Sequence, residues 1–147
     1  MTVSRSRTLA ASREVIWEIL GDPEALPRWW PGVQRVEDAS PGTWTKVLRA
    51  PKGRRAVRAD YSLEESEPQE HLTWRHEVEE SPFERLMSER LIDFDLKPGG
   101  EGETEVRLTE RIKLRGLSRL GGLQMRRAAG RRLEETLEGL ALVTEGA

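Results

Sequence analysis

Residues 12–37, SREVIWEILGDPEALPRWWPGVQRVE, hold the transition on which the fold turns. Ser12 suits an N-cap, because its hydroxyl can accept from a backbone N–H at the open end of a helix. Val15, Ile16, Ile19 and Leu20 follow at helical spacing, with Arg13, Glu14 and Glu18 on the other face. Gly21 closes that helix. Asp22-Pro23 starts a second short one, since proline fits the first helical position. Leu26, Trp29 and Trp30 form its apolar side, and Pro31-Gly32 ends it. Two adjacent indoles are costly to leave in water and too bulky for a tight corner, so they suggest the wall or lid of an apolar space. Trp30, next to the Pro-Gly stop, is expected to face inward as a gate. Trp29 is expected to brace against the helical layer or the surface.

From Val33 onward the apolar period changes to two. Residues 33–37, 43–50, 56–65, 71–79, 85–96 and 103–114 read as strands, separated by SPG at 40–42, PKG at 51–53, SEPQ at 66–69, Ser81-Pro82 and KPGGEG at 97–102. Connections this short join antiparallel neighbours, which predicts a six-stranded meander. The segment Thr2 to Leu9 adds a seventh strand. Ser118 to Glu145 reads as a long helix with Leu133, Leu137, Leu140 and Ala141 on one face. Gly121, Gly122 and Gly130 each lower helix propensity by about 1 kcal/mol relative to alanine. Such glycines mark either a kink or tight packing site, or room for a partner or ligand.

The chain has 147 residues, a formal charge of -2 and no cysteine. One domain is the simplest organisation at this length. Disulfides, thiolate nucleophiles and Cys-based metal sites are excluded together. The start, MTVSRSRTLAAS, has no apolar leader core, and no run approaches the roughly 18 apolar residues of a membrane span. A cytoplasmic protein without stable membrane insertion is expected. Arg126, Arg127, Arg131 and Arg132 are followed directly by Glu134, Glu135 and Glu138, which reads as a solvated helix face and not a nucleic-acid footprint. KPGGEG lacks the strand-to-helix setting and the GK[ST] ending of a phosphate loop, so it reads as a hairpin.

The order strand, two short helices, six-stranded meander and long C-terminal helix resembles the helix-grip fold of the START-like (SRPBCC) superfamily. Within it, the chain is most similar to the polyketide cyclase/dehydrase and lipid-transport-like branch. The matching pieces are VIWEILGDPEALPRWWPGVQRVE, EHLTWR at 70–75, FDLKPGGEGETEVRLTER at 94–111 and the Arg-rich last helix ending LEGLALVTE. Each is weak alone; their order and spacing carry the resemblance. It implies an α+β fold in which a curved seven-stranded antiparallel sheet wraps the last helix, with a hydrophobic ligand held between them. Some members of the family pair as dimers, so a homodimer is among the partners it implies.

Strand alternation selects the residues that face that space. Leu72, Trp74, His76 and Val78 share one face of strand 71–79. Leu86, Ile92, Phe94 and Leu96 share one face of strand 85–96 and bring Ser88 and Arg90 with them. Val106, Leu108, Ile112 and Leu114 bring Glu110, while strand 56–65 contributes Tyr61 and strand 43–50 contributes Trp44. The expected ligand-binding set is Trp30, Trp44, Tyr61, Trp74, His76, Ser88, Arg90, Phe94, Glu110 and Leu133, an apolar surround with a few convergent polar groups. If Leu96 pairs with Thr104, Arg90 lies directly opposite Glu110 as a cross-strand ion pair. That pair either orients a ligand oxygen or simply holds two strands.

His76 is either a general base or a buried, hydrogen-bonded structural histidine. Ser88 has no G-x-S-x-G elbow around it, which argues against a hydrolase triad. His71 and His76 face opposite sides of their strand, so no metal site is expected. No cofactor is expected either, and no catalytic residue can be named. Two functional readings stand: carriage or sensing of a small hydrophobic molecule such as a lipid, isoprenoid or polyketide-like aromatic, or a cyclase/aromatase-type enzyme using Arg90, Glu110 or His76 for proton transfer. A third, an interaction module, requires the cavity to be filled by the protein's own side chains.

Overall fold

The computed structural model describes residues 1–116 and 121–146. Seven strands form one antiparallel sheet: β1 (Thr2–Leu9), β2 (Val33–Ser40), β3 (Thr43–Leu48), β4 (Val57–Glu67), β5 (His71–His76), β6 (Met87–Pro98) and β7 (Thr104–Leu114). Their order is β1-β7-β6-β5-β4-β3-β2, so β2 to β7 are a meander and β1 returns to close its far edge. Helix α1 (Arg13–Leu20), a 3-10 turn (Pro23–Ala25) and the single-turn α2 (Leu26–Trp29) carry the chain from one sheet edge to the other. Helix α3 (Gly122–Thr144) lies against the inner face, touching β1, β7, α1 and α2. No helix among the described residues is long and apolar enough to cross a membrane.

Local chemistry sets these boundaries. The Ser12 hydroxyl accepts from Val15 N at 3.2 Å, and Asp22 Oδ1 accepts from Glu24 N at 3.1 Å, so both N-termini are capped as their residue types dictate. Gly32, at φ 79°, makes the left-handed turn out of α2 that a side chain would resist. The inner face buries Val106, Leu108 and Ile112 of β7, Ile92, Phe94 and Leu96 of β6, and Leu72 and Trp74 of β5. These meet Ala129, Leu133, Leu137, Leu140 and Ala141 of α3, with Ile16 and Leu20 of α1 closing one end.

Several expectations need correction. The β6–β7 hairpin pairs Pro98 with Thr104 and Leu96 with Val106, so Arg90 lies opposite Ile112 and Glu110 opposite Ile92. The ladder runs two residues further toward the turn than expected, because Gly99 N–H donates to Glu103 O and Glu103 N–H to Gly100 O, both at 3.0 Å, in a tight loop. β5 stops at His76, and β6 starts at Met87 instead of Arg85. Between them Glu84 N–H donates to Ser81 O at 3.2 Å and Leu86 N–H to Phe83 O at 3.0 Å, a turn-rich segment that leaves Leu86 exposed. A register shift between Met87 and Glu89 breaks the alternation there, and Ser88 is exposed rather than inward. The expected helix start at Ser118 lies outside the described residues. Gly130 makes room for no ligand: a Cβ there would overlap the guanidinium of Arg5, whose Nε donates to Glu134 Oε1 at 2.9 Å.

Candidate functional site: an aromatic interior beside an apolar cleft

The inner face of β3 to β6 carries a connected set of rings. Trp74 lies at the hub, 5.3 Å from Trp44, 5.7 Å from Trp30, 6.4 Å from Trp29 and 5.0 Å from Phe94, centroid to centroid. Trp44 stacks on Tyr61, and Tyr61 stacks on His76 at 4.8 Å. Both of the adjacent tryptophans, Trp29 and Trp30, reach this cluster, which corrects the division into gate and brace. Trp29 is the more buried, at 3% exposure, and meets Phe94 at 6.1 Å. Trp30 is half-buried. The cause is local: α2 is a single turn, Trp30 leaves it with extended torsions (φ -86°, ψ 122°), and the two indoles therefore turn onto the sheet edge to face.

Behind the rings lies a polar network. Arg90 donates from Nε and Nη2 to Glu110 Oε2 at 3.1 and 2.7 Å, the diagonal step being bridged by the length of its side chain. Arg90 Nη1 donates to the Tyr61 hydroxyl at 2.8 Å and lies 3.4 Å from His76 Nδ1. Arg132 of α3 reaches in to donate from Nη2 to Glu110 Oε1 at 3.2 Å. Burial pushes the Glu110 carboxyl up, but Arg90 and Arg132 outweigh it and hold the group below its usual value. Burial, then the charges of Arg90 and Lys46, drive His76 down to about 3, so its imidazole is neutral in this state. Burial is also the largest influence on Tyr61 and keeps it a phenol.

Lys46 is the residue that the sequence reading missed. It is fully buried, with Nζ 3.5 Å from the Trp30 ring centroid, 4.2 Å from that of Tyr61 and 5.4 Å from that of Trp74. Among the described residues no hydrogen-bond acceptor meets it. Burial, reinforced by Arg90 and opposed by Glu110, lowers its pKa well below the ordinary lysine value. Three ring faces offset part of the desolvation through cation–π attraction, without supplying the acceptor an ammonium seeks. The signal was present in the alternation, since Lys46 is two residues from Trp44 on one strand face. A lone lysine between apolar residues reads as a surface residue, and that habit hid it.

An apolar cleft of about 400 Å³ opens between the end of α1 and the sheet. Trp17, Leu20, Gly21 and Pro23 form one side, the β2–β3 turn from Ala39 to Gly42 the second, and Leu63, Ser66 and Leu72 the third; Trp44 and Trp74 are its inner wall. Of the ten expected ligand-binding residues, only Trp44 and Trp74 border it. His76, Arg90, Phe94, Glu110 and Leu133 lie in the interior and do not border it; Tyr61 borders, with Trp44 and Asp60, a separate opening of about 410 Å³, and the exposed Ser88 lines another of about 430 Å³ beside Ile112 and Arg126. Trp30 instead borders, with Trp29, a shallower groove of about 290 Å³ against Glu135, Glu138, Gly139 and Leu142 of α3. Trp17, Pro41 and Gly42 were legible only as helix and turn residues, because their convergence depends on how α1 sits over the sheet. On the outer face, His71 Nδ1 lies 2.7 Å from Asp95 Oδ1, and Thr73 donates to Asp93 at 2.6 Å while Arg111 grips the same carboxylate. Among the described residues no cluster of three His, Asp or Glu side chains could hold a metal.

Solved structures with this fold span nearly the whole chain. A START superfamily protein from Mycobacterium smegmatis superposes with a TM-score of 0.77 at 18% identity, covering 97% of this chain and 96% of its own. A conserved protein from Geobacillus kaustophilus gives 0.76 at 16%, covering 96% and 93%. A protein from Thermus thermophilus gives 0.72 at 22%, covering 96% and 94%. A comparison with curated proteins finds no match. The sheet gripping α3 is thus the helix-grip architecture of START-like proteins, and the model of the polyketide cyclase/dehydrase and lipid transport family matches residues 1–145. The chain belongs to that family.

Proposed function

We propose that the protein binds a small apolar molecule in the cleft walled by Trp44 and Trp74, as a carrier or sensor. The observation that supports this reading most is the cleft itself: about 400 Å³ of space beside two indole rings, with Trp17, Leu20, Leu63 and Leu72 completing an apolar lining. Removing apolar surface from water there contributes about 25 cal/mol per Å² before the costs of association. Carriage is favoured over cyclase-type chemistry because Arg90, Glu110 and His76 are engaged with one another behind the wall instead of bordering the cleft.

Calorimetric titration with 2-naphthamide, a neutral bicyclic probe, tests this reading. The wild-type protein is expected to bind one equivalent saturably. Ser66→Trp, which places an indole in the cleft mouth, is expected to weaken binding at least tenfold. Undiminished binding by that variant would remove the cleft from the account.

A further inference from the structure

Four buried side-chain nitrogens in the described interior have no hydrogen-bond partner: Trp29 Nε1, Trp44 Nε1, Lys46 Nζ and His76 Nε2. All four are donors. An indole N–H can only donate, and the neutral His76, with Nδ1 toward the Arg90 guanidinium at 3.4 Å, carries its proton on Nε2. The acceptors nearby take other donors, and none meets these four nitrogens. Glu110 Oε2 receives Arg90, Glu110 Oε1 receives Arg132, and the Tyr61 oxygen receives Arg90. Buried polar groups are ordinarily matched, so four unmatched donors in one cluster describe a site complementary to an acceptor.

The charge count points the same way. Lys46, Arg90 and Arg132 gather around the carboxylate of Glu110, and among the described residues no counter-charge is in contact with Lys46. Two of the rings around this cluster also face the cleft. Trp44 contributes both a wall and one unmatched N–H, and Trp74 is a wall whose centroid is 5.4 Å from Lys46 Nζ. Lys46 itself does not line the cleft but lies behind these two rings, so a ligand in the cleft meets its amine only where the Trp44–Trp74 edge contact opens.

We propose that the cleft's ligand is an apolar acid, an aromatic or aliphatic body bearing a carboxylate or an ionised phenol, and that Lys46 receives its charged oxygen. The indole N–H of Trp44 is the second donor to that oxygen. This assignment rests on the cleft reading above and names the class of molecule that the cleft takes. Lys46 then acts as a selectivity device: it is costly to bury beside a hydrocarbon and favourable beside an anion.

The test compares 2-naphthoate with 2-naphthamide, which differ little in shape and differ in charge. Wild-type protein is expected to bind the acid at least tenfold more tightly than the amide. Lys46→Met, which removes an unpaired buried amine and should melt no lower than wild type, is expected to bind both probes at the wild-type amide affinity. Equal affinities for acid and amide in the wild type would overturn the acid assignment while leaving the cleft reading intact. A preference for the acid that survives in Lys46→Met, or acid binding that survives in Ser66→Trp, would overturn the role given to Lys46. Binding of neither probe would remove the cleft reading and this assignment together.

Discussion

At the scale of single residues, Lys46 and His76 show how burial decides chemistry. In both, desolvation disfavours the charged form more than the groups near them favour it. For His76 the consequence for stability has a definite sign. Its pKa falls from 6.5 to about 3 on folding, so between those values the unfolded chain binds the proton and the folded chain does not. Stability therefore falls as pH drops through that window. Denaturant unfolding is expected to show a loss approaching about 2 kcal/mol from this group between pH 6.5 and 4.5, at 1.36 kcal/mol per unit. His76→Phe, which keeps a ring against Tyr61, should show a correspondingly shallower decline; identical slopes in the two proteins would contradict the buried neutral imidazole. His71 works in the opposite direction. Burial lowers its pKa, the Asp95 contact and neighbouring carboxylates outweigh that, and the stability it adds below its ordinary pKa is lost as pH rises above it. Sequence could list His76, Arg90 and Glu110 as inward residues, because parity along a strand is readable. The Arg90–Glu110 ion pair was legible from the same parity, although it forms on the diagonal; the links to Tyr61, His76 and Arg132 were not, since they depend on side-chain reach across strands and from α3.

At the scale of elements, the meander and its faces were legible, and the β6–β7 register was not. A slip of two residues leaves every side chain on its original face, so the hydrophobic pattern cannot choose between Leu96 opposite Thr104 and Leu96 opposite Val106. The loop around Gly99 and Gly100 chooses instead. Ser88 was misplaced for a related reason, because a bulge changes parity without leaving a clear mark in composition. Helix α3 offers a sharper test. Gly139 faces α2, where a Cβ would overlap the Trp29 carbonyl oxygen, so the helix approaches α2 backbone to side-chain-free backbone. Gly139→Ala is expected to lose about 1–3 kcal/mol from overpacking despite alanine's better helix propensity. Gly122, whose Cβ would meet nothing within 4 Å, provides the control. Gly122→Ala should be neutral or mildly stabilising, and equal melting shifts in the two variants would show that the α2–α3 approach has no energetic weight.

At the scale of the whole molecule, the element order sufficed to recognise a helix-grip protein. The location of its open space required the assembled fold. The aromatic rings and His76 fill much of the region between sheet and α3, and the cleft is displaced toward the sheet edge beside α1. The short helical segment decides this arrangement: it sends Trp29 and Trp30 inward and leaves Trp17 at the cleft. The five tryptophans are also reporters, since Trp17, Trp44 and Trp74 border the cleft while Trp29 and Trp30 border the groove beside α3. The most direct measurement is a titration of the isotopically labelled protein with 2-naphthoate, following the five indole N–H resonances by NMR. The expected result is that the Trp17, Trp44 and Trp74 signals move most, with Trp44 leading. Movement confined to Trp29 and Trp30, or no movement at saturating probe, would contradict the cleft as the binding site.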